Sequence, residues 1–266
     1  MRTAGIFLFL GSGASMGIPV IGCKCAVCIS ESPCNHRLRP SGLLTVGGRK
    51  FLFDCGPDFR LQAIQHKIDR LDGILLTHAH HDHTAGLDEV RVYYMREKKA
   101  IPCLLSPSTA ADIQMRYPYI FGEPGHAHKL IPRMALQELK DVQGEVVFEK
   151  LRIQYVTYEQ GGMPVNGFRL GNFAYISDIR HYPESLFEAL SGVEVLVLSA
   201  LRMEPTPFHF SIDEAVAFSE RVGAAHTWLT HIAHELDHEA TNARLPPNVR
   251  MAYDGLELDV LIDEVL

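Results

Sequence analysis

Four of the fourteen histidines of this chain fall within six residues, in Thr77-His-Ala-His-His-Asp-His83, directly after the apolar run Gly73-Ile-Leu-Leu76. On an extended chain leaving a strand, residues two apart point to the same side, so His78 and His80 form a pair. If the chain then turns into a helix, Asp82 and His83 aim at an adjacent position. Two pairs of N/O donors converge, enough for two metal ions a few ångströms apart. Such a pair of ions can hold a hydroxide nucleophile and clamp the oxygens of a transferring phosphoryl group. The alternative is a solvated histidine-rich loop. Placement straight after a strand, in the order H-x-H-x-D-H, argues against it.

A second set is Cys23-x-Cys25-x-x-Cys28, three of the six cysteines. Soft thiolates on a tight loop supply three corners of a tetrahedral zinc site, and an imidazole can supply the fourth. Four protein ligands leave no open position, so such a site is structural. The alternative is three reduced thiols, packed or oxidised. Cys34, Cys55 and Cys103 are isolated and read as core or incidental residues.

Other features carry less. Gly11-x-Gly13-x-x-x-Gly17 follows a strand-like run, but its third glycine is one place late for a dinucleotide loop. Ile18-Pro19 and the cysteines stand where the phosphate-binding helix would begin, so a Rossmann reading is rejected. His126 and His128 repeat the H-x-H spacing without a following Asp-His and read as a loop. Arg39 and Arg60 are candidate phosphate contacts by charge and position only.

The elements that must position these residues are short. Apolar, β-branched-rich runs with Gly or Asp punctuation read as strands at 5–10, 43–46, 50–53, 73–77, 103–106, 146–148, 152–157, 167–170, 173–177, 193–199 and 226–230. Helical periodicity marks 57–66, 110–117, 184–190 and 212–222, the last opening on the capping-box pattern Ser211-Ile-Asp-Glu214. Hairpin-like pairs, 43–46 with 50–53 and 167–170 with 173–177, are mixed with strand–helix alternation. That mixture predicts an α/β fold in which two mixed sheets pack together with helices on the outer faces, an αββα sandwich, as one domain over residues 1–266.

Composition sets the outer bounds. With 266 residues, 47% hydrophobic and 21% charged, the chain can bury a sizeable core and is not disordered or fibrous. The formal charge of 25 − 32 = −7 disfavours nucleic acid or an anionic membrane surface as main partner. The longest apolar start, Ile6–Leu10, is too short for a membrane span or a secretory h-region, so a cytoplasmic location is expected. A reducing compartment in turn makes metal a better reading of clustered cysteines than disulfides.

The H-x-H-x-D-H run resembles the signature of the metallo-β-lactamase superfamily. More narrowly, the chain resembles the PhnP-type phosphodiesterases, accessory enzymes of the carbon–phosphorus lyase pathway. Matching segments are Leu10–Pro19, Gly22–Cys28, Phe53-Asp-Cys-Gly-Pro-Asp-Phe-Arg60, Tyr175-Ile-Ser-Asp178, Phe208-His-Phe-Ser211 and Leu229-Thr-His-Ile-Ala-His234. The resemblance implies His78, His80, Asp82, His83, Asp178 and His231 as ligands of two divalent ions, zinc or manganese, with Asp178 bridging. It implies His234 as the fourth ligand of a structural zinc on Cys23, Cys25 and Cys28. His209 and Asp82 are implied to act in catalysis, His209 as general acid on the leaving oxygen.

One position departs from the pattern. Where the family has a further histidine ligand, this chain reads Thr157-Tyr-Glu-Gln-Gly-Gly162, which places Gln160 at the ligand position with Glu159 beside it. The implied site is weakened, completed by Glu159, or vacant. The implied activity is a metal-dependent phosphodiesterase acting on small, cyclic ribose phosphate-type diesters, with a homodimer allowed and no membrane partner. Two rivals are a tRNA 3′-processing endonuclease of the same fold and a non-catalytic ligand-binding module on a decayed scaffold.

Overall fold

A computed structural model of the chain describes residues 2–121 and 133–265. Fourteen strands form among these residues: β1 Arg2–Gly11, β2 Ser41–Val46, β3 Arg49–Phe53, β4 Gly73–Leu75, β5 Ile101–Leu105, β6 Met134–Glu138, β7 Gln143–Phe148, β8 Leu151–Gln160, β9 Met163–Leu170, β10 Phe173–Ile176, β11 Val195–Ser199, β12 His226–Thr230, β13 Val249–Met251 and β14 Glu257–Asp263. They make two seven-stranded sheets, in the orders β14-β1-β2-β3-β4-β5-β6 and β13-β12-β11-β10-β9-β8-β7. Both expected hairpins are present, with Gly42 opposite Phe53 and Leu170 opposite Phe173. Both sheets are mixed: β3 to β6 and β10 to β13 run parallel, the other pairings antiparallel.

Strand alternation sorts each sheet's side chains between two layers. Phe7, Leu44, Phe53 and Leu75 of the first sheet face Phe168, Phe173, Tyr175 and Val197 of the second. The rings interlock, Phe7 on Phe173 at 4.7 Å and Phe53 on Tyr175 at 5.2 Å between centroids. The neighbours of these residues in sequence point outward. Leu43, Leu52, Ile74 and Cys103 pack under the helices Phe59–Gln65, Arg91–Glu97 and Pro107–Arg116. Ala174, Ile176, Leu196 and Leu198 pack under Ser185–Ala189 and Ile212–Val222. This is the αββα sandwich. A one-residue slip in any strand would exchange an inter-sheet residue for a helix-facing one.

The capping box forms as the pattern predicts: Ser211 Oγ accepts from Glu214 N, and Glu214 Oε2 accepts from Ser211 N at 2.8 Å. Three strands had no counterpart in the sequence reading. β6 is an edge strand, half-buried and exposed in turn, and β13 is only three residues long. β14 does alternate, with Leu258, Val260 and Ile262 buried and Glu257, Asp259 and Leu261 exposed. The helix Arg91–Glu97 was also not anticipated, and residues 76–80 leave β4 as irregular chain where a strand to 77 was expected. His126 and His128 lie outside the described residues. No helix among the described residues is long and apolar enough to cross a membrane.

Candidate metal centre

The C-terminal ends of β3, β4, β8, β10 and β12 open on one rim of the sandwich, and each delivers a polar side chain there. Asp54 follows β3 in a left-handed conformation, φ 57°, fully buried. Its carboxylate accepts from Thr77 N at 2.9 Å, from Thr77 Oγ1 at 3.0 Å and from His83 Nδ1 at 2.7 Å. The Thr77 hydroxyl, donating to Asp54, must accept from His78 Nδ1 at 2.9 Å. Both imidazoles are therefore held with Nε2 turned to the centre, where His78 Nε2 meets His80 Nδ1 at 2.9 Å. Neither Asp54 nor Thr77 was singled out from the sequence. Their signal was there: Asp54 ends a strand within Phe53-Asp-Cys-Gly, and Thr77 opens the histidine run.

Beyond β4 the chain turns at His80 into the short helix His81–Thr84, as anticipated, which brings Asp82 and His83 beside the β12 exit. His78, His80 and Asp178 offer one ligand atom each within 4.8 Å of one another, as do Asp82, His83 and His231. His231 Nε2 lies 3.4 Å from both Asp82 Oδ2 and Asp178 Oδ1, and His78 Nε2 lies 3.6 Å from Asp178 Oδ2. Asp178 thus stands between the two sets. Asp178 and His231 both adopt positive φ, 53° and 62°, a backbone state that costs a non-glycine residue and recurs at functional sites.

Buried atoms without partners test whether a cation fits. His83 Nε2, which faces Asp82 and Asp178 at 3.5 and 3.7 Å, is fully buried with no hydrogen-bond partner among the described residues. Burial alone would raise the Asp178 carboxyl, yet His231, His83 and His209 hold it well below the ordinary range. Burial would likewise lower His83, yet Asp82, Asp54 and Asp178 push it well above its usual value. Two buried carboxylates therefore demand positive charge, and the unpartnered nitrogen aims at it. Imidazoles and carboxylates suit zinc or manganese. The residues fit.

Gln160, at the end of β8, is buried beside this centre. Its Nε2 is 3.1 Å from Asp178 Oδ2 and 2.9 Å from His209 Nε2, while its Oε1 has no partner. Glu159 cannot complete the site. Strand alternation turns it outward, where it is exposed and accepts from Gly162 N at 3.0 Å. His209 lies closer to the centre than a bystander: it forms a third donor set with Asp178 and His231 and stacks on His231 at 4.8 Å. Burial pushes its imidazole down to about 4.

The cysteines and His234 also assemble. The sulfurs of Cys23, Cys25 and Cys28 lie 3.4, 3.5 and 3.5 Å from His234 Nδ1, and no described cysteine is in a disulfide. Val20 N and Cys28 N donate to Cys28 Sγ and Cys25 Sγ. The Cys28 amide and His234 draw the Cys25 thiol down to about 6, favouring the thiolate a metal needs. The glycine-rich segment is a close backbone approach: Gly13 bridges Ile232, and a Cβ on Gly11 would fall 2.0 Å from Arg39 O. Arg39 pairs with Asp58 at 2.7 Å and Arg60 is exposed on its helix. Arg116, not anticipated, donates to Ala79 O and Thr84 Oγ1 and so braces the histidine turn.

The family model described as "Beta-lactamase superfamily domain" matches residues 49–232, which contain every strand-end donor just described. The chain belongs to the β-lactamase superfamily. Within that superfamily it is similar to a solved diphosphatase from the PhnP family, with a TM-score of 0.91 and 35% identity over 98% of this chain and 99% of that one. It is 33% identical over 262 residues to an octanoyltransferase of Porphyromonas gingivalis, a match covering 97% of this chain and 51% of that protein. The chain thus spans about half the length of that relative. It is 24% identical over 230 residues to a ribonuclease Z of Mycolicibacterium gilvum, covering 76% of this chain and 80% of that protein. These likenesses, with the donor sets, make the chain a metal-dependent hydrolase of the metallo-β-lactamase fold.

Proposed function

We propose that the chain is a binuclear metal-dependent phosphodiesterase acting on small phosphodiesters of the cyclic ribose phosphate type. One observation carries this reading: Asp178 forms a donor set with His78 and His80, and its other carboxylate oxygen lies 3.4 Å from His231 Nε2 and 3.7 Å from His83 Nε2 of the second set. Together with Asp82 these residues would hold two divalent ions, and Cys23, Cys25, Cys28 and His234 a structural zinc. Two divalent ions supply charge neutralisation at the phosphoryl oxygens and make water nucleophilic near neutral pH.

The rest is done by side chains. Asp54 and Thr77 fix the His83 and His78 tautomers. His209 is the group placed to give a proton to the leaving oxygen. Burial lowers its imidazole from the ordinary value. An anionic diester beside it favours the charged form, which couples proton uptake to substrate binding. Gln160 turns its amide nitrogen, which cannot ligate, toward Asp178 and His209, so the ion beside it lacks an imidazole and is held less tightly than its neighbour.

A disubstituted diphosphate is the second reading, favoured by the likeness to the PhnP-family diphosphatase. Cleavage of RNA, suggested by the ribonuclease Z relative, is disfavoured by the −7 charge. The octanoyltransferase match spans half of that protein and lends no acyl-transfer step to this centre. The test is hydrolysis of bis(p-nitrophenyl) phosphate, adenosine 2′,3′-cyclic phosphate and a dinucleoside diphosphate by protein loaded with manganese or zinc. Turnover of the cyclic diester above the diphosphate supports the first reading, the reverse order supports the second, and turnover of none overturns both.

A further inference from the structure

Phe208 stands where two loops meet at the mouth of the centre. Its ring lies so close to Gly161 that a Cβ there would fall 2.8 Å from ring Cδ1, and Gly161 itself needs φ +55°. The turn that follows Gln160 thus seats the ring. The loop carrying Phe208 is pinned from within: Thr206 Oγ1 accepts from His209 N at 2.9 Å and Phe208 N at 3.4 Å, and donates to His209 O at 3.0 Å. From this rigid loop consecutive side chains diverge. His209 turns inward to Gln160 and Asp178, while Phe208 keeps 54% of its surface exposed.

A lone exposed apolar side chain is ordinary. This one is held in a fixed position, one residue from the group placed to protonate the leaving oxygen. We propose that Phe208 is a stacking platform for a planar aromatic ring, such as a nucleobase, carried on the leaving-group side of the substrate. The inference rests on the phosphodiester reading and narrows its substrate class. Phe208 directly precedes His209 and packs on the turn that follows Gln160, two residues that border the centre, so its ring belongs to the same side of the site. Stacking on an aromatic face is tolerant of which base it is, so the platform confers preference for a base over none.

The experiment measures binding by calorimetry, with manganese-loaded and metal-free full-length protein, of adenosine monophosphate against ribose 5-phosphate. Native protein should bind the nucleotide about tenfold more tightly. Phe208→Ala and Phe208→Leu should erase that preference and Phe208→Tyr should keep it, with metal content unchanged in all three. If Phe208→Ala does not fold, the leucine and tyrosine variants carry the comparison. Equal weakening of both ligands would make Phe208 a mere loop support. Full preference retained in Phe208→Leu, or absent from native protein, would also overturn the platform. Hydrolysis of bis(p-nitrophenyl) phosphate by the same native sample separates the two ideas. Hydrolysis without base preference sinks the platform alone, and base preference without hydrolysis sinks the phosphodiester reading alone.

Discussion

One loop serves both donor clusters. His231 ends in the buried His/Asp centre, and His234, three residues on, meets the cysteines. The clusters nevertheless differ in every respect that decides a role. The cysteine cluster is soft and half-buried, and four protein donors close it. The His/Asp centre is hard and deeply buried, carries two carboxylates that need positive charge, and has an amide at one corner where closure would demand an imidazole. A closed set can only hold the chain together, whereas a set with an uncommitted corner can exchange ligands with a substrate. The loop between them carries the lesson further. Ile232 is clamped by Ser12 O and Ala14 N, so the segment tied down by the cysteines is also the one that places His231 in its strained conformation.

Mutations that break one cluster should therefore read out differently from those that break the other. The largest effect is expected from His209→Ala, which should lower kcat on a diester with a poor leaving group by about 10²–10⁴-fold. The loss should be smaller on a p-nitrophenyl ester, whose leaving group needs little protonation, and metal content should hold. Equal losses on both esters would assign His209 to binding. Loss of metal would make it a ligand, a role that its place beside Asp178 and His231 keeps in play.

In the other cluster, Cys25→Ser should remove about one zinc per chain and on the order of 3 kcal/mol of stability, roughly 6–12 °C in Tm. Activity per folded molecule measured well below Tm should fall little. Unchanged zinc and Tm would remove the structural assignment, and a large fall in kcat would show that the two clusters are not separable.

Asp54→Asn keeps the shape but removes the carboxylate that orients His83. Affinity for the active-site ions should fall about 10–100-fold with the cysteine-bound zinc untouched, as ion titration followed by mass spectrometry would show. The smallest change is expected from Gln160→His, which should tighten the weaker ion by on the order of tenfold, about 1.4 kcal/mol. Two equal, tight sites in the native protein would remove the asymmetry on which the contrast between the clusters turns.

The local members of both clusters, within six residues each, were legible from their spacing, whereas Asp178, His231 and His234 were supplied by the family resemblance. The mixture of hairpin-like pairs and strand–helix alternation disclosed the layering, but which of Leu43 and Leu44, or Leu196 and Val197, faces the helices is decided only by the folded sheets. What stayed hidden depends on contacts between distant segments. Asp54 matters only because β3 lies beside β4, which brings it under Thr77 and His83. Arg116 matters only because its helix packs against the histidine turn. β6 and β13 take their strand character from their sheet neighbours more than from their own composition.

The fourth member of the cysteine cluster, His234, lies 206 to 211 residues after the other three. During synthesis, at about 5–20 residues per second, three thiols therefore leave the ribosome roughly 10–40 s before His234 is made. Through that interval any zinc they capture is held by three sulfurs and exchanges readily. The same thiols stay open to oxidation until the second sheet is complete. Closing a loop of that span costs chain entropy that must be overcome before the imidazole can bind, so the cysteine cluster is a lock that shuts late. Chains made under oxidative stress or zinc shortage should accumulate damage at Cys23, Cys25 and Cys28 during manufacture, while finished molecules remain resistant.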